Sequence, residues 1–336
     1  MFVDFVEVER ITEAVLAQAI LLQWLTAYGL SPLNMRGQCY DGASNMSGAR
    51  SGCMSLVQQE PPLAMYFHCA AHRLNLAVVS ACSIQAFKNV ESYVGEIARF
   101  FNYSAKRQRL LDKAIESRDS APRARKLKDA CRTRWVEQID SYIVFLELLP
   151  ALQVTLDAMI NPRIYEELGT EWSWDGDTIT KANGFLYQIQ SPSFLISFKI
   201  LTQVLHILRE LTMKLQMQAN DVVYAYKQVS SVVSTLKGMR EDSVSEFQKI
   251  FVETTKLGQQ LHGDHFELCR PRIVGRQVHR SNPEISSPED YFRITLYDEF
   301  LSHVVSELQS RFVGNPAHDI ALGLLYLLPS ECINVK

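Results

Sequence analysis

Over the first ninety residues the spacing of apolar positions switches repeatedly between period two and helical period. Phe2 to Val8 is rich in aromatic and β-branched residues and predicts a strand, whereas Ile11 to Tyr28 predicts an apolar helix closed by Gly29 and Pro32. A second strand-like run, Asn34 to Tyr40, leads into Asp41-Gly42-Ala43-Ser44-Asn45-Met46-Ser47-Gly48, whose glycines and small polar residues suit a turn into a helix. Ala64 to Cys69 reads as a third strand that runs straight into a helix from Ala70 to about Ser83. This β-α-β-α-β-α order predicts an α/β layer. Beyond Phe87 the period turns helical, with segments near 87–117, 138–160, 193–217, 219–239, 243–260, 288–312 and 317–328. The expected fold class is α/β plus all-α, divided near Trp135 to Tyr142 into modules 1–138 and 139–336. Glu171 to Asp177 reads as an exposed loop, and no fixed-period repeat is present.

The chain has 336 residues, of which 47% are hydrophobic and 21% charged, the proportions of a packed globule. Its most apolar helical stretch is taken to be Ala14 to Tyr28, which holds Gln18, Gln23 and Thr26 and is shorter than the ~20 residues of a bilayer span, so no membrane partner is expected. Asp4 and Glu7 stand where a targeting leader carries base, which predicts an intracellular protein. Seven thinly spread cysteines without a C-x-x-C pair argue for reduced thiols and against a disulfide scaffold or a paired-cysteine zinc finger.

Net charge is −3, which disfavours uniform polyanion binding. Charge is nevertheless uneven. Between Arg99 and Arg134 twelve basic residues face four acidic ones, so a belt of +8 lies on a body of −11. Lys106, Arg107, Arg109, Arg123, Arg125, Lys126 and Lys128 are its candidate phosphate contacts, and a merely solvated helix face is the alternative. A second group, Arg270, Arg272, Arg276, His279 and Arg280, either meets phosphate or pairs with acidic helices of the same chain.

Three stretches occur in a recognisable order: Gly37 to Gly48, then His68-Cys69-Ala70-Ala71-His72-Arg73-Leu74-Asn75-Leu76, then Cys131-Arg132-Thr133-Arg134-Trp135. Together they resemble the hAT superfamily of transposases, and within it the domesticated zinc finger MYM-type 1-like and kinase-inhibitor-repressor-like groups. The stretch Pro271 to Asn282, with Glu289 to Arg293 and Glu307 to Phe312, is similar to that superfamily's helical insertion. The resemblance implies a ribonuclease-H-like fold split by a helical insertion, with two aspartates and one glutamate holding two magnesium ions. Asp41 matches the second aspartate. The first belongs to a strand preceding the segment that matches Phe2 to Val8, and the glutamate to a Ser-Glu-Arg-like motif beyond the insertion. A partial ribonuclease-H-like module is therefore expected, with a single vestigial catalytic carboxylate. Two-metal phosphoryl transfer needs several carboxylates around two cations. No strand cleavage by this chain alone is expected, and no cofactor, magnesium entering only where the missing carboxylates come from elsewhere.

The remaining candidates each have two readings. Glu13 either joins Asp41 as a metal ligand or complements the positive end of its helix. Cys69 and His72, the C-x-x-H motif of the resemblance, either share a zinc or hold a strand-to-helix corner, and a structural zinc needs four ligands. Arg134 and Trp135 either contact phosphate and stack on a base, as the resemblance implies, or pack at a module junction. Three functions stay open: a nucleic-acid-binding domesticated transposase without activity, a protein-interaction module that self-associates through Ala321 to Leu328, or a piece of an intact transposase. The resemblance favours the nucleus over the cytoplasm.

Overall fold

A computed structural model describes residues 7, 9–25, 27–118, 122–129, 135–215, 222–271, 285, 287–313 and 323. The chain divides into two compact units. The first comprises 1–77, 211–230 and 308–336, and the second 78–210 and 231–307. Contacts thus assign 1–77 and 78–138, which the sequence reading joined in one module, to different units.

In the first unit, Thr12 caps α1 (Glu13–Gln18) by accepting from the Val15 N–H at 3.4 Å, and the helix continues as a π-helical stretch over Ala19–Leu25. The single long helix expected over 11–28 is therefore wound in two ways. Ala17 packs with Cys53 and Val57 into a small core closed by Leu16, Ile20, Met35 and Tyr40. β1 (Gly37–Tyr40) is followed by α2 (Ser44–Ser47), α3 (Cys53–Gln58) and β2 (Met65–His68). The two strands are parallel, in a register running from Gly37 opposite Met65 to Tyr40 opposite His68. Parallel neighbours require a crossover, which α2 and α3 supply. Buried Gln38 locks it, its amide donating to the carbonyls of Met54 at 3.1 Å and Ala64 at 3.0 Å. Gly48 and Gly52 make the tight turn between α2 and α3. A Cβ on Gly52 would stand 2.3 Å from the Gly48 nitrogen.

α4 (Ala70–Ala81) starts directly after β2. Its Arg73 is buried, donates to the Tyr226 hydroxyl at 3.0 Å and lies 5.6 Å from the Phe312 ring centroid. One side chain thereby touches all three chain segments of the unit. Two of the three expected strands are present among the described residues, at 37–40 and 65–68. Phe2 to Val8 falls outside them except for residue 7.

The second unit is helical: α5 (Gln85–Asn102), α6 (Ala105–Glu116), α7 (Trp135–Ile160), α8 (Gly176–Ile189), α9 (Pro192–Leu215), α10 (Val222–Glu241), α11 (Ser243–His262), α12 (Pro288–Phe292) and α13 (Asp298–Leu308), with α4, α9, α10 and α13 entering it in part. α5 buries Phe87, Val90, Val94, Ile97, Ala98 and Phe101, a stripe at three- and four-residue spacing. Phe87 meets Phe300 with ring centroids 4.4 Å apart, and Phe145, Phe194 and Phe198 form a second aromatic cluster.

Several expectations are corrected here. The most apolar helix is α7: over Gln138–Ile160 it is long and apolar enough to cross a membrane, yet Leu148, Leu149, Leu152 and Leu156 are fully buried by its neighbours, as in a core helix. Glu171 to Asp177 is no simple exposed loop, since Trp172 and Trp174 are half-buried and α8 begins at Gly176. α8 itself escaped the sequence reading. The helix expected over 288–312 is interrupted by π-helical turns at Arg293–Tyr297 and Gln309–Val313. The segment 317–328 lies outside the described residues apart from 323.

Candidate functional site

The C-terminal ends of a parallel strand pair are where α/β layers display chemistry, and Asp41 follows β1 at that end. Its carboxylate accepts from the Ala43 N–H at 3.2 Å, and its carbonyl accepts from the Tyr66 hydroxyl at 3.2 Å. Gly42 lies against the His68 ring: a Cβ there would stand 2.4 Å from the imidazole. His68 is stacked between Tyr66 and His72, with centroids 6.5 and 5.3 Å away. Burial, then the charge of Arg73 and the neighbouring His72, pull its pKa down to about 4, which keeps it neutral.

Cys69 joins β2 to α4. Its N–H donates to the Tyr40 carbonyl at 2.9 Å, and its carbonyl accepts from the Arg73 N–H at 2.9 Å. The hydrogen bond with Cys39, followed by the His72 and Ala71 N–H groups at the helix start, brings the Cys69 thiol down to about 5 against the opposing effect of burial. The same contact, with burial, pushes Cys39 up.

Beside the Asp41 loop stand the neutral imidazole of His68 and the Tyr66 phenol, a poor match to magnesium, which prefers carboxylates. Among the described residues no three His, Cys, Asp or Glu side chains are grouped to hold a metal ion. The described residues do not by themselves fit a two-magnesium site. Glu13 lies in the first turn of α1, where it complements the helix dipole. His72, the second residue of the C-x-x-H pair, stacks on His68.

The basic belt belongs to the second unit, and the structure divides it. Lys106 lies 4.5 Å from the Trp174 ring centroid and donates to the Ser173 carbonyl. Lys113 sits 5.0 Å from the Trp172 centroid and pairs with Glu171 at 2.7 Å. The two indoles are parallel within 4°, at 6.1 Å, so the lysines cap a tryptophan stack. Arg107 covers the Phe100 ring at 4.1 Å, and burial lowers its pKa. Arg125 pairs with Glu116 at 2.8 Å. Arg123 is exposed, and its N–H donates to Glu147.

Arg109, Lys126 and Lys128 are exposed and engage in no ion pair among the described residues. Neutral groups fix the stretch that carries Lys126 and Lys128. Gln108 donates to the Arg125 carbonyl at 3.0 Å, and Asn102 donates to the Leu127 carbonyl at 3.1 Å, pinning the segment 122–129 along α5 and α6. Arg134 and the side chain of Trp135 lie outside the described residues, as do Arg272, Arg276, His279 and Arg280. Arg270 is exposed and donates to the Ile285 carbonyl at 2.9 Å. The sequence reading missed the tryptophan caps, the Cys39 partner of Cys69 and the anchoring role of Arg73.

Residues 1–52, which include the Asp41 loop, match the family model described as ZMYM1/FAM200, RNase-like domain. The chain is similar to transposase-derived proteins. Over 340 aligned residues it is 26% identical to the mouse (Mus musculus) and 25% identical to the human (Homo sapiens) 52 kDa repressor of the inhibitor of the protein kinase. The alignment covers 100% of this chain and 43% of each relative, so the chain spans less than half their length. No solved structure matches it significantly.

Proposed function

We propose that this chain is a domesticated, transposase-derived protein that binds nucleic acid without cutting it. In this reading residues around β1 and β2 are part of a ribonuclease-H-like module, and the helical unit represents the insertion. The observation that carries the binding is that Arg109 on α6, and Lys126 and Lys128 on the segment tied to α5 and α6 by Asn102 and Gln108, are exposed and engaged in no ion pair among the described residues. Cations placed this way neutralise phosphates and release counterions, so affinity falls with salt. Lack of cutting is supported by Asp41, whose carboxylate is tied to its own loop and belongs to no group of three metal-ligating side chains among the described residues. A nuclear site of action accords with this reading.

Fluorescence anisotropy with duplex and single-stranded oligonucleotides at graded salt tests the binding. Three phosphate contacts predict a slope of log K against log salt of about −3 on duplex. Absence of binding, or binding indifferent to salt, overturns the reading. Plasmid nicking in magnesium or manganese tests the rest: turnover lost on Asp41→Ala contradicts inactivity.

A second reading is a regulatory protein-interaction module. It is favoured by the internal engagement of Lys106, Arg107, Lys113 and Arg125, and by relatives whose name describes a repressor of an inhibitor. Light scattering at several concentrations separates the two: a monomer with nucleic-acid affinity supports the first, a concentration-dependent oligomer without it the second.

A further inference from the structure

Tyr103 is 75% exposed at the end of α5, and among the described residues its ring meets no other aromatic. Its N–H donates to the Arg99 carbonyl at 3.1 Å, so the helical turn reaches it and sets Arg99 and Tyr103 one turn apart on the solvent face of α5. Arg99 is exposed and engages in no ion pair among the described residues. Asn102, the residue before Tyr103, fastens the basic segment here: its amide donates to the Leu127 carbonyl at 3.1 Å and to the Asp129 carboxylate at 3.1 Å, with Lys128 between the two. Leu127 is buried, and Lys126 and Lys128 on either side of it in the chain are exposed. The acids beside these cations are engaged, Asp129 by Asn102 and Glu96, three residues before Arg99, by the Ser92 hydroxyl at 2.6 Å. A lone exposed aromatic is ordinary on a protein surface. This one stands at the join between an arginine-bearing helix face and a lysine-bearing segment, all within the second unit.

Resting on the nucleic-acid reading above, we propose that this surface takes single-stranded nucleic acid, an unpaired base stacking on the Tyr103 ring while the neighbouring cations hold the phosphates. Base faces inside a duplex are covered by the adjoining pairs, whereas an unpaired base offers a face to an aromatic side chain. One such stack is worth about five- to hundred-fold in affinity and is tolerant of sequence, because every base has a π-face. The cations supply salt-dependent affinity for any strand, and the ring supplies the preference for an unpaired one. Single-stranded DNA and RNA share this chemistry.

The test is fluorescence anisotropy with the full chain at low salt, using oligothymidylate, oligouridylate, an abasic strand of equal length and a duplex. The abasic strand keeps the phosphates and lacks the bases, so it should bind about five- to hundred-fold more weakly than oligothymidylate or oligouridylate. Such a gap against either strand supports the proposal, and the pair reports which sugar is accepted. Tyr103→Ala should weaken single-strand binding by the same factor and duplex binding by less than about two-fold, while Tyr103→Phe retains both, because stacking needs the ring and not the hydroxyl. Equal affinity for abasic and base-bearing strands overturns the proposal, and that comparison uses the wild-type chain, so it decides whether or not a variant folds. An equal loss of single-strand and duplex binding in Tyr103→Ala overturns it too, as does a Tyr103→Ala chain that keeps its single-strand affinity but no longer self-associates, which assigns the ring to a protein contact. Salt-dependent duplex binding in any of these cases leaves the wider nucleic-acid reading standing; no binding to any of the four probes removes both.

Discussion

Arg73 tests how three distant stretches of chain are held in one unit. It stands in α4, is 8% exposed, and donates to the Tyr226 hydroxyl at 3.0 Å while its guanidinium lies 5.6 Å from the Phe312 centroid. Tyr226 and Phe312 also meet edge to face at 6.0 Å. Arg73→Met keeps the length and apolar bulk of the stem but removes the cation. The hydrogen bond to a charged donor contributes about 1.5–3 kcal/mol, and the cation–π contact about 0.5–2 kcal/mol. Relief of the cation's desolvation works in the opposite direction, though a guanidinium is weakly hydrated and part of that cost returns. The net expectation is a loss of about 1–3 kcal/mol. Tyr226 has other interactions too, so the single change is less telling than a cycle with Tyr226→Phe, in which those cancel. The expected coupling is about 1–2 kcal/mol. Hydrogen exchange by mass spectrometry reads it locally, as protection lost about five- to thirty-fold in 226–230 and 308–313. Additivity within about 0.5 kcal/mol would refute the anchor.

Three further outcomes are expected. His68 is held at about 4 in the folded chain against 6.5 when unfolded, so between those pH values the unfolded state binds the extra proton. Stability therefore falls as pH drops from about 6.5 to about 4, by about 3 kcal/mol at most, and levels off below. His68→Gln should flatten that limb of a urea-denaturation series; an unchanged slope assigns it to other groups, Asp41, His72, Arg73 and Arg311 being the titratable side chains that face it. Gly52→Ala should cost about 1–3 kcal/mol in thermal or urea melts, because the added carbon meets backbone at Gly48 rather than a side chain that can swing aside. Unaltered melting would mean that the turn opens freely. Finally, Arg109→Ala, Lys126→Ala and Lys128→Ala should each lower the salt slope of nucleic-acid binding by about 1, while Lys106→Ala leaves it unchanged. An equal effect from Lys106 would show that its tryptophan contact gives way to phosphate.

The elements came through from sequence where one periodic signal dominated. α5 carries an unbroken apolar stripe and, together with α6, fills the helical segment expected over 87–117, which divides where Ser104 caps α6 and accepts from the Arg107 N–H. β2 and α4 were legible because the apolar run Met65 to Phe67 changes period immediately after His68. The failures have local causes. α8 opens on Gly176 and has Gly184 in its interior, weak helix formers that hid a helix whose N-terminus is secured by Asp175, accepting from the Thr178 N–H at 2.8 Å. α7 is buried on several sides, which erases the amphipathic contrast by which an apolar helix stands out in sequence, whereas Ala14 to Tyr28 shows that contrast less fully masked. The π-helical turns depend on an extra residue per turn that no composition rule marks.

At the basic belt the sequence supplied the charges but not their partners. A formal sum treats Lys106, Arg107, Arg109 and Lys128 alike, although two of these lie on aromatic rings and two face solvent. Part of the division was nonetheless readable. Lys106 and Lys113 are seven residues apart, two helical turns, and so share a face of α6, while Trp172 and Trp174 alternate on a stretch that forms no helix and so share a side. Two cations on one face and two indoles on one side match in spacing, and an indole face attracts an ammonium group. What the sequence does not carry is that Trp172 to Trp174 is folded back on α6 rather than on another helix, because that depends on Leu168 and Thr178 being buried on either side of the tryptophan segment. The phosphate-facing candidates are therefore drawn from the cations left after this match, Arg109, Arg123, Lys126 and Lys128, and it is their removal rather than the belt's total charge that should set the salt dependence of binding.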